Sequence, residues 1–343
     1  MGRWRKLNRI SKFVTIAATV LVCVGAFGIL FYLSSCPLPE DSEPVCVLIG
    51  SGSSTRQIGE LLYQSGLVRN PYWFRIVARV TGADGAMKAG EYCFESGMFV
   101  WDVIADLREG KVIYHPFTIP EGLCVEEIAE VLSDKGVAEK EAFLELAKNP
   151  DLVSSFASTD ELQNCIYPVE GYLFPDTYLI QKGTSEQEIM LMMLNRFSEV
   201  FTPELQDKAR EHGLSIHQAA TLASIVEKEA VVDEERPVIA GVYINRLNIG
   251  MKLDADPTVL YALGRYKGTL LWKDLEVDSL YNTYKYIGLP PGPICNFGKA
   301  SLEAVLDPAD VDYLYFVSKN DGTHAFARTF SEHQQNVRIY QGD

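Results

Sequence analysis

The apolar pattern near the N-terminus is continuous, whereas the rest of the chain shows periodic patterning. Residues 13–33 form a run of 21 residues without one charged side chain. At about 1.5 Å per residue, a helix of this length crosses the hydrocarbon core of a bilayer. The pattern therefore predicts a transmembrane helix over residues 13–33, ahead of a globular chain.

The charges in front of this span indicate its orientation. The charged residues among the first 12 are all basic: Arg3, Arg5, Lys6, Arg9 and Lys12. Under the positive-inside rule, residues 1–12 form a basic cytoplasmic tail and the bulk of the chain is exoplasmic. Two alternatives stay open: a cleaved signal peptide, whose apolar core is usually shorter, and lipoprotein processing at Cys36, because Leu33-Ser-Ser-Cys36 loosely matches a bacterial cleavage site. Either alternative also places most of the chain outside the cytoplasmic membrane.

After a linker predicted at residues 34–44, a pattern of strand, Gly turn, amphipathic helix and Gly stop is repeated. The first copy runs from Ile49 to Gly66, and the second follows 70 residues later, from Ile119 to Gly136. A looser third copy runs from Gly97 to Gly110. Each copy predicts a helix of about three turns that ends at its glycine.

A turn Gly followed by an Ile-x-x-x-Leu helix resembles the LysM carbohydrate-binding module, which binds chains that contain N-acetylglucosamine. Between the copies, the pattern predicts a further helix that starts at Pro71 and a strand over residues 90–95. Residues 45–137 are therefore expected to form a LysM-like α+β module. Two interpretations stay open: a glycan-binding module, or an ordinary small α+β domain that spaces the following part from the membrane.

A helical stretch at residues 218–230 carries a carboxyl group on its apolar face. With Leu222 placed at 0° and about 100° per residue, Val226 falls at about 40° and Ile225 at about 300°. Glu229 falls at about 340°, inside the apolar stripe, and Glu227 at about 140°, outside it. A buried carboxyl group must be paired, or its pKa rises until it stays protonated near neutral pH. Glu229 is therefore either a structural residue held by a donor or a protonated acid able to cleave a glycosidic bond.

Composition narrows the class of protein. The formal net charge of −15 at pH 7 argues against a nucleic-acid partner. About 300 residues follow the span, enough for two domains with real cores. The seven cysteines are dispersed, without CxxC or a Cys/His cluster of metal-ligand spacing, so no metal site and no disulfide scaffold is expected, although single pairs remain possible.

Specific motifs follow one another in order from about residue 165 onward. They are Glu170-Gly-Tyr-Leu-Phe-Pro-Asp-Thr-Tyr178, Ala223-Ser-Ile-Val-Glu-Lys-Glu229, Val242-Tyr-Ile-Asn-Arg-Leu247, Leu253-Asp-Ala-Asp-Pro-Thr-Val259, Tyr281-Asn-Thr-Tyr284, Gly288-Leu-Pro-Pro-Gly-Pro293, Tyr313-Leu-Tyr-Phe-Val317 and Gly322-Thr-His-Ala-Phe326. This series resembles the endolytic murein transglycosylase family, known as MltG or YceG-like, and the anchor and LysM-like segment fit as well. One departure is Asn296-Phe297-Gly298, where the family usually has Asn-Pro-Gly.

The resemblance implies cleavage of peptidoglycan glycan strands between N-acetylmuramic acid and N-acetylglucosamine, which leaves 1,6-anhydro ends. The C6 hydroxyl of the sugar attacks its own C1, so a single carboxyl group can act first as acid and then as base. Glu229 followed by Ala230 fits this role better than Glu227 followed by Lys228. Glu227 is expected to be an exposed residue or one that supports the site from behind, with an arginine as its possible partner. No metal or organic cofactor is implied, and the family resemblance implies work beside penicillin-binding proteins.

The other motifs supply candidate substrate-binding residues, each with a structural alternative. Asn245, followed by Arg246, can bind an N-acetyl group or cap a helix. Asp256 is the best candidate for a second carboxylate, ahead of Asp254; both are expected in an extended segment. An Asp before Pro more often starts a turn.

The tyrosine-rich motif and the last motifs carry the remaining candidates. Tyr281, Asn282 and Tyr284 offer flat faces and polar tips for a sugar subsite, although buried packing explains the tyrosines almost as well. Residues 288–293 predict a rigid loop, a plausible cleft wall. His324 is either a residue of the site or a structural histidine.

Together these patterns predict an α+β fold: a transmembrane helix, the LysM-like α+β module and an α+β catalytic domain over residues 138–343. The expected protein is an endolytic lytic transglycosylase held in the bacterial cell membrane by one span. Two other functions stay open: a lysozyme-type hydrolase with Asp256 as the second carboxylate, and a non-enzymatic glycan-binding scaffold.

Overall fold

The computed structural model describes residues 2–35, 42–95, 97–265, 268 and 270–342, with the side chains of residues 2–11 and 13 left out. Helix α1 spans Gly2–Ser34, so the basic tail and the apolar run form one continuous helix. Its segment Val14–Ser34 has a mean hydropathy of 2.5 and is long and apolar enough to cross a membrane. The predicted helix is confirmed, and it suggests a single membrane anchor. Cys36, the alternative processing site, lies outside the described residues.

The described residues contain six strands in three two-stranded sheets. The strands are β1 Val45–Ile49, β2 Gly90–Phe94, β3 His115–Thr118, β4 Thr177–Ile180, β5 Tyr315–Ser318 and β6 His324–Ala327. The pairs are β1–β2, β3–β4 and β5–β6. Strands β1 and β2 are antiparallel, with Val45 opposite Phe94, and β5 and β6 are antiparallel, with Ser318 opposite His324.

Helices make up most of the regular structure and occur together with the three small sheets, so the α+β class is confirmed. After α1 the helices are α2 Thr55–Gln64, α3 Pro71–Val80, α4 Val100–Glu109, α5 Val125–Asp134, α6 Lys140–Ala147, α7 Thr159–Leu162, α8 Glu186–Val200, α9 Pro203–Glu211, α10 Ile216–Glu229, α11 Arg236–Asn248, α12 Asp256–Ala262, α13 Lys299–Leu306 and α14 Phe330–Tyr340. Short 3-10 helices lie at Pro150–Val153, Asp233–Glu235 and Trp272–Glu276.

The repeated strand–Gly–helix pattern is present in all three copies. Each copy has a strand, a glycine at positive φ and a helix of ten residues, namely α2, α4 and α5. Gly52 and Gly122, at φ of 76° and 79°, make the turn between strand and helix in the two close copies. Such a φ is available to glycine without the steric cost that a side chain adds, so the glycines fix the geometry of the unit.

The chain divides into two compact units. The first comprises residues 1–115 and 179–183, and the second residues 116–178 and 184–343. The predicted domain boundary at residue 137 therefore differs from this division. The copy that contains α5 belongs to the second unit, because its apolar helix face is buried there. The domain roles themselves stay a prediction.

The first unit is built on the β1–β2 pair, against which α2 and α4 bury their apolar faces. Its core is formed by the inward residues of these elements and of α3, among them Ile49, Leu62, Phe74, Tyr92 and Leu107. Cys46 and Cys93 face each other across the two strands and form a disulfide. The sequence left this pairing open because spacing alone does not fix a strand register.

The second unit is centred on helix α10, which packs against α11 and α13. Residues 219–226 of α10 are all buried. Eight consecutive buried residues cover the whole circumference of a helix, so α10 is a central core helix. Its small residues, Ala219, Ala220 and Ala223, let neighbouring helices approach closely. Its start is fixed by a capping box between Ser215 and Gln218.

Candidate active site

Glu229 is the last residue of α10. The next residue, Ala230, is extended with ψ of 122° and ends the helix. The side chain of Glu229 is half-buried and forms part of the wall of a cavity of about 390 Å³. A core helix that ends at a cavity holds its final side chain in a fixed position, and this is how the chain positions Glu229.

The environment of Glu229 favours its protonated form near neutral pH. Burial raises its pKa to about 7, with the nearby Asp256 acting in the same direction. The hydroxyl of Tyr243 donates a hydrogen bond to Oε1 of Glu229 at 3.0 Å and, with the more distant Arg246, partly offsets this rise. Glu229 lies at the C-terminus of α10, the negative end of the helix dipole, and this position also disfavours a negative charge on its carboxyl group. Glu229 is thus poised both to give and to take a proton.

The cavity, hereafter the Glu229 cleft, is formed by elements from the whole second unit. Its walls come from the end of α10, from α11, from the segment before α12, from β5 and β6, and from α14. Five of the predicted site residues line it: Glu229, Arg246, Asp256, Tyr284 and His324. Residues more than 90 positions apart in the sequence thus meet in one cleft with both polar and aromatic walls.

Asp256 is the second carboxylate in the Glu229 cleft. It is the first residue of α12 and is exposed, and the hydroxyl of Tyr284 donates a hydrogen bond to it at 2.5 Å. Asp256 therefore starts a helix, where a turn was the favoured expectation. Asp254 is not extended as predicted but lies in the left-handed region, with φ of 48°. A non-glycine residue in that region carries strain, which is commonest at functional sites.

Arg246 is buried in the cleft wall and positions backbone segments there. Its guanidinium donates to the carbonyl of Leu314 at 2.6 Å and to that of Leu253 at 2.7 Å. It also lies over the ring of Tyr315, with its Cζ 5.3 Å from the ring centroid. These contacts tie the segment before α12 to β5, so the cationic group has a structural role whether or not it also contacts a ligand.

His324 is held in the cleft by a carboxylate. Glu235, the residue before α11, accepts a hydrogen bond from the His324 backbone N–H at 3.0 Å and contacts its Nδ1 at 2.7 Å. Phe316 packs against the imidazole edge-on, with centroids 5.3 Å apart. The ring is therefore fixed in orientation, with its position in the cleft set by β6.

Comparisons with known proteins agree with this architecture. A model of the YceG-like family matches residues 47–339. An endolytic murein transglycosylase of Bacillus subtilis (strain 168) is 35% identical over 317 residues, covering 89% of this chain and 87% of that protein. A protein of the same description from Streptococcus pneumoniae (strain D39) is 31% identical over 343 residues, covering 91% of this chain and 62% of its own length. The crystal structure of a YceG-like protein from Listeria monocytogenes matches with 35% identity and a TM-score of 0.60, covering 85% of this chain and 98% of that one.

The chain belongs to the YceG-like family. The match extends over both compact units and includes every motif on which the resemblance was based.

In this family member, Glu227 lies in a separate polar pocket and not in the Glu229 cleft. Its buried side chain accepts hydrogen bonds from the Ser301 hydroxyl at 2.6 Å, the Gly298 backbone N–H at 3.2 Å and the Arg236 guanidinium at 3.4 Å. The side chain of Glu227 is therefore not exposed, and an arginine is among its partners, as expected. The difference in helical phase between the two glutamates is weak evidence, because residues 219–226 of α10 are buried around the whole circumference, polar residues included.

Three other predicted residues have structural contacts elsewhere in the second unit: two amides bind backbone carbonyls, and one tyrosine is packed against another ring. The amide of Asn245 donates to the carbonyls of Val311 and Tyr313, at 2.7 and 3.1 Å, so it does not cap a helix. The amide of Asn282 is fully buried and donates to the carbonyls of Leu275 and Val277, both at 2.8 Å. Tyr281 is buried against Tyr261, with ring centroids 5.0 Å apart. The structure places none of the three among the residues that line the cleft.

The rigid loop at residues 288–293 supports α10 and is not among the cleft residues. Its Pro291 carbonyl contacts the imidazole Nε2 of His217 at 2.7 Å, and the ring's Nδ1 contacts the Tyr172 hydroxyl at 2.7 Å. Just after the loop, the Ile294 N–H donates to the Ser224 hydroxyl at 3.0 Å. The loop therefore holds helix α10 in place through contacts with the buried residues His217 and Ser224.

Sequence reasoning missed two residues of the cleft region. Tyr243 lies inside a recognised motif, but the sequence pattern predicts only that it is a buried core residue of α11. His333 lies on α14, beyond the last motif, and stacks on Tyr315 with centroids 5.3 Å apart. Burial and the nearby Arg246 lower its pKa, and its Nδ1 has no hydrogen-bond partner among the described residues. The contact of Tyr243 with Glu229, 14 positions earlier, depends on how α10 and α11 pack together, and no local sequence pattern shows it.

Proposed function

We propose that this chain is an endolytic transglycosylase that cleaves peptidoglycan glycan strands, with Glu229 as the catalytic acid and base. The observation that carries the proposal is the setting of Glu229: the end of a rigid helix, the wall of a cleft, and a pKa raised to about 7. The descriptions of the relatives from B. subtilis and S. pneumoniae support the substrate class.

The reaction requires one group that changes protonation state twice. Protonated Glu229 donates its proton to the glycosidic oxygen between N-acetylmuramic acid and N-acetylglucosamine, and the C1–O bond breaks. The C6 hydroxyl of the muramic acid then bonds to C1, and the Glu229 carboxylate accepts the hydroxyl proton. The 1,6-anhydro ring forms without consumption of water, and Glu229 returns to its protonated form. A pKa near the working pH suits both halves of this cycle.

The neighbouring side chains have supporting roles in this proposal. Tyr243 orients the Glu229 carboxyl group and stabilises the carboxylate that exists between the two proton transfers. Asp256, held by Tyr284, adds negative potential beside a sugar ring that develops positive charge at C1. Arg246 and His324 keep the cleft walls in place through their backbone and carboxylate partners.

A lysozyme-type hydrolase is the second candidate, and the position of Asp256 favours it. Both carboxylates line one cleft, and retaining or inverting glycosidases need a second carboxylate to act as nucleophile or to activate water. The two candidates differ in product: a hydrolase leaves a reducing end, which is one water heavier than an anhydro end.

The location that fits this function is the outer face of a bacterial cell membrane. The basic residues ahead of the apolar helix support a cytoplasmic N-terminus. The Cys46–Cys93 disulfide supports an exoplasmic position for the first unit, because such bonds persist in oxidising compartments. We assign the first unit the role of the LysM-like module, and penicillin-binding proteins are the partners that the family resemblance implies.

The proposal is tested by digestion of purified glycan strands with the full chain in detergent micelles. Glu229→Gln is expected to reduce cleavage by at least about 10²–10⁴-fold while the thermal melt stays cooperative. Glu227→Gln is the matched neighbour: it weakens a buried ion pair, so it should lower the melting temperature but keep cleavage below that temperature.

Ser301→Ala, which removes the shortest hydrogen bond to Glu227, is the milder companion variant and keeps the comparison usable if Glu227→Gln does not fold. An active Glu229→Gln protein, beside a folded and inactive Glu227→Gln or Ser301→Ala protein, would show that the acid is misassigned.

A further inference from the structure

The end of helix α1 packs against the start of helix α3. The indole Nε1 of Trp73 donates a hydrogen bond to the hydroxyl of Ser34 at 3.0 Å. The guanidinium of Arg69 lies over the ring of Tyr32, with 4.4 Å between Cζ and the centroid, and donates to the Ser35 hydroxyl at 3.3 Å. The first turn of α3 is therefore fixed where the apolar span ends.

Aromatic side chains lie at the same end of the apolar span. The centroids of Phe31 and Phe99 are 5.3 Å apart, and those of Phe99 and Trp101 are 4.6 Å apart with the rings nearly parallel. Trp101 and Tyr32 remain exposed. Exposed Trp and Tyr side chains are enriched at membrane–water interfaces, where both the apolar ring and its polar tip find suitable surroundings. The rings thus indicate that the interface lies at about residues 31–35.

The outward face of α3 combines large apolar and basic side chains. Tyr72, Ile76 and Val80 follow one another at four-residue spacing and are 68%, 53% and 81% exposed. Arg75 and Arg79 lie beside this stripe and are exposed as well. The opposite face of α3 is buried in the core of the first unit. An apolar stripe flanked by arginines is typical of helices that lie in the membrane interface.

The charge of this segment is opposite to that of the whole chain. The sequence contains three arginines and no acidic residue between Glu60 and Asp84, although the net charge of the protein is −15. Asp84 lies 3.7 Å from Arg79, but both side chains are exposed, so this ion pair is weak. A local excess of arginine complements the phosphate groups of anionic lipids.

We propose that helix α3 docks on the bilayer surface beside the span. Tyr72, Ile76 and Val80 enter the boundary between headgroups and acyl chains, and Arg75 and Arg79 bind headgroup phosphates of anionic lipids. The contact holds the first unit at the membrane surface in a defined orientation. This inference depends on the apolar span and on α3, and it is independent of the chemistry proposed at Glu229.

The test uses the full chain in lipid nanodiscs and a photo-crosslinking residue. Tyr72 is replaced by p-benzoylphenylalanine in nanodiscs of phosphatidylcholine with or without phosphatidylglycerol, and lipid adducts are measured by mass spectrometry. The matched control carries the same residue at Tyr63, a tyrosine on α2 of the same unit that is 50% exposed. Retained circular dichroism and a cooperative thermal melt show that each variant is folded.

Position 72 is expected to give severalfold more lipid adduct than position 63. The yield should rise with phosphatidylglycerol and fall by up to about fivefold for each of Arg75→Gln and Arg79→Gln. Equal yields at positions 72 and 63, or adducts mainly to a second copy of the chain, would overturn the proposal. A yield at position 72 that is unaffected by phosphatidylglycerol and by both arginine variants would overturn the assigned role of the arginines.

Discussion

Glu227 and Glu229 lie two residues apart on one helix, and their partners give them different capacities. Three donors, including a buried guanidinium, surround Glu227 and hold it in place. Glu229 accepts a hydrogen bond from the neutral hydroxyl of Tyr243 and faces a cleft. A carboxylate held by three donors in a buried cluster is a structural group, whereas one with a single neutral donor beside a cavity can exchange a proton with a ligand.

Tyr243→Phe should change the pH dependence of cleavage. The Tyr243 hydroxyl stabilises the charged form of Glu229, so its removal raises the pKa of Glu229 above about 7. The acid step needs protonated Glu229, and the alkaline limb of the rate profile should therefore move upward, by about 0.5–1 pH unit for one lost hydrogen bond.

The matched control for this variant is Tyr261→Phe, which removes a buried tyrosine hydroxyl that donates to Glu170 at 3.1 Å. That variant should leave the alkaline limb where it is in the wild type. An alkaline limb that moves downward in Tyr243→Phe, or that moves equally in both variants, would contradict the role of Tyr243.

Asp256→Asn should reduce cleavage by less than about tenfold, far less than loss of the general acid at Glu229. A transglycosylase needs no second carboxylate to activate water, and Asp256 contributes only electrostatic support. Rates are compared at a temperature where thermal melts show both variants folded. Tyr284→Phe, which removes the hydrogen bond to Asp256, should have a similar or smaller effect. Equal losses in Asp256→Asn and Glu229→Gln would favour the hydrolase.

At the scale of residues, the sequence predicts Glu229 as the candidate acid but does not predict the roles of most of its motif neighbours. Helical phase and family resemblance both favour Glu229, yet the phase argument alone is weak because residues 219–226 of α10 are buried on every side. Asn245 and Asn282 belong to specific motifs, but their amides bind backbone carbonyls. A motif identifies residues that matter to the fold or to the site. Whether a given side chain is structural or faces a ligand depends on tertiary packing, and a local sequence pattern does not contain that information.

The elements were more predictable than the site, because caps, glycines and apolar spacing act locally. The three ten-residue helices of the repeat, the helix from Pro71 and the strand at Gly90 all lie where the pattern placed them. The role of the loop at residues 288–293 was not predictable in the same way. Its rigidity follows from proline chemistry, but its position behind α10 depends on His217 and Ser224, which approach from a distant part of the chain.

Removal of the disulfide should destabilise the first unit. Cys46 and Cys93 close a loop with a sequence separation of 47 residues. Replacement of both by serine should lower the free energy of unfolding of that unit by about 2–4 kcal/mol. The measurement is denaturant unfolding of the full chain, followed by hydrogen exchange at β1 and β2.

The same two cysteines report the topology of the chain. The protein is taken from intact cells, unfolded without reductant and treated with an alkylating reagent. Cys46 and Cys93 should remain unmodified because they form a disulfide. Cys165, a half-buried free thiol, should be alkylated and serves as the internal reference. Quantitative alkylation of Cys46 and Cys93 in unfolded, unreduced protein would contradict an exoplasmic first unit.

At the scale of the whole molecule, the predicted domain roles stay a prediction, and the compact units are divided at a different place from the predicted boundary at residue 137. One apolar helix precedes a mixed α+β chain, as expected from hydropathy. The second copy of the repeat, however, belongs to the second unit. Repeats in sequence predict similar local structure, whereas membership in a compact unit depends on which partner buries the apolar face.

The central claim is that one carboxyl group at Glu229 cleaves glycan by internal transfer to the C6 hydroxyl. The most direct measurement is mass spectrometry of the ends released from purified glycan strands by the full chain, with Glu229→Gln as the paired control. The account predicts muramic acid ends that are one water lighter than reducing ends, and their absence from the Glu229→Gln digest. Reducing ends from the wild-type chain, or anhydro ends from the Glu229→Gln protein, would contradict it.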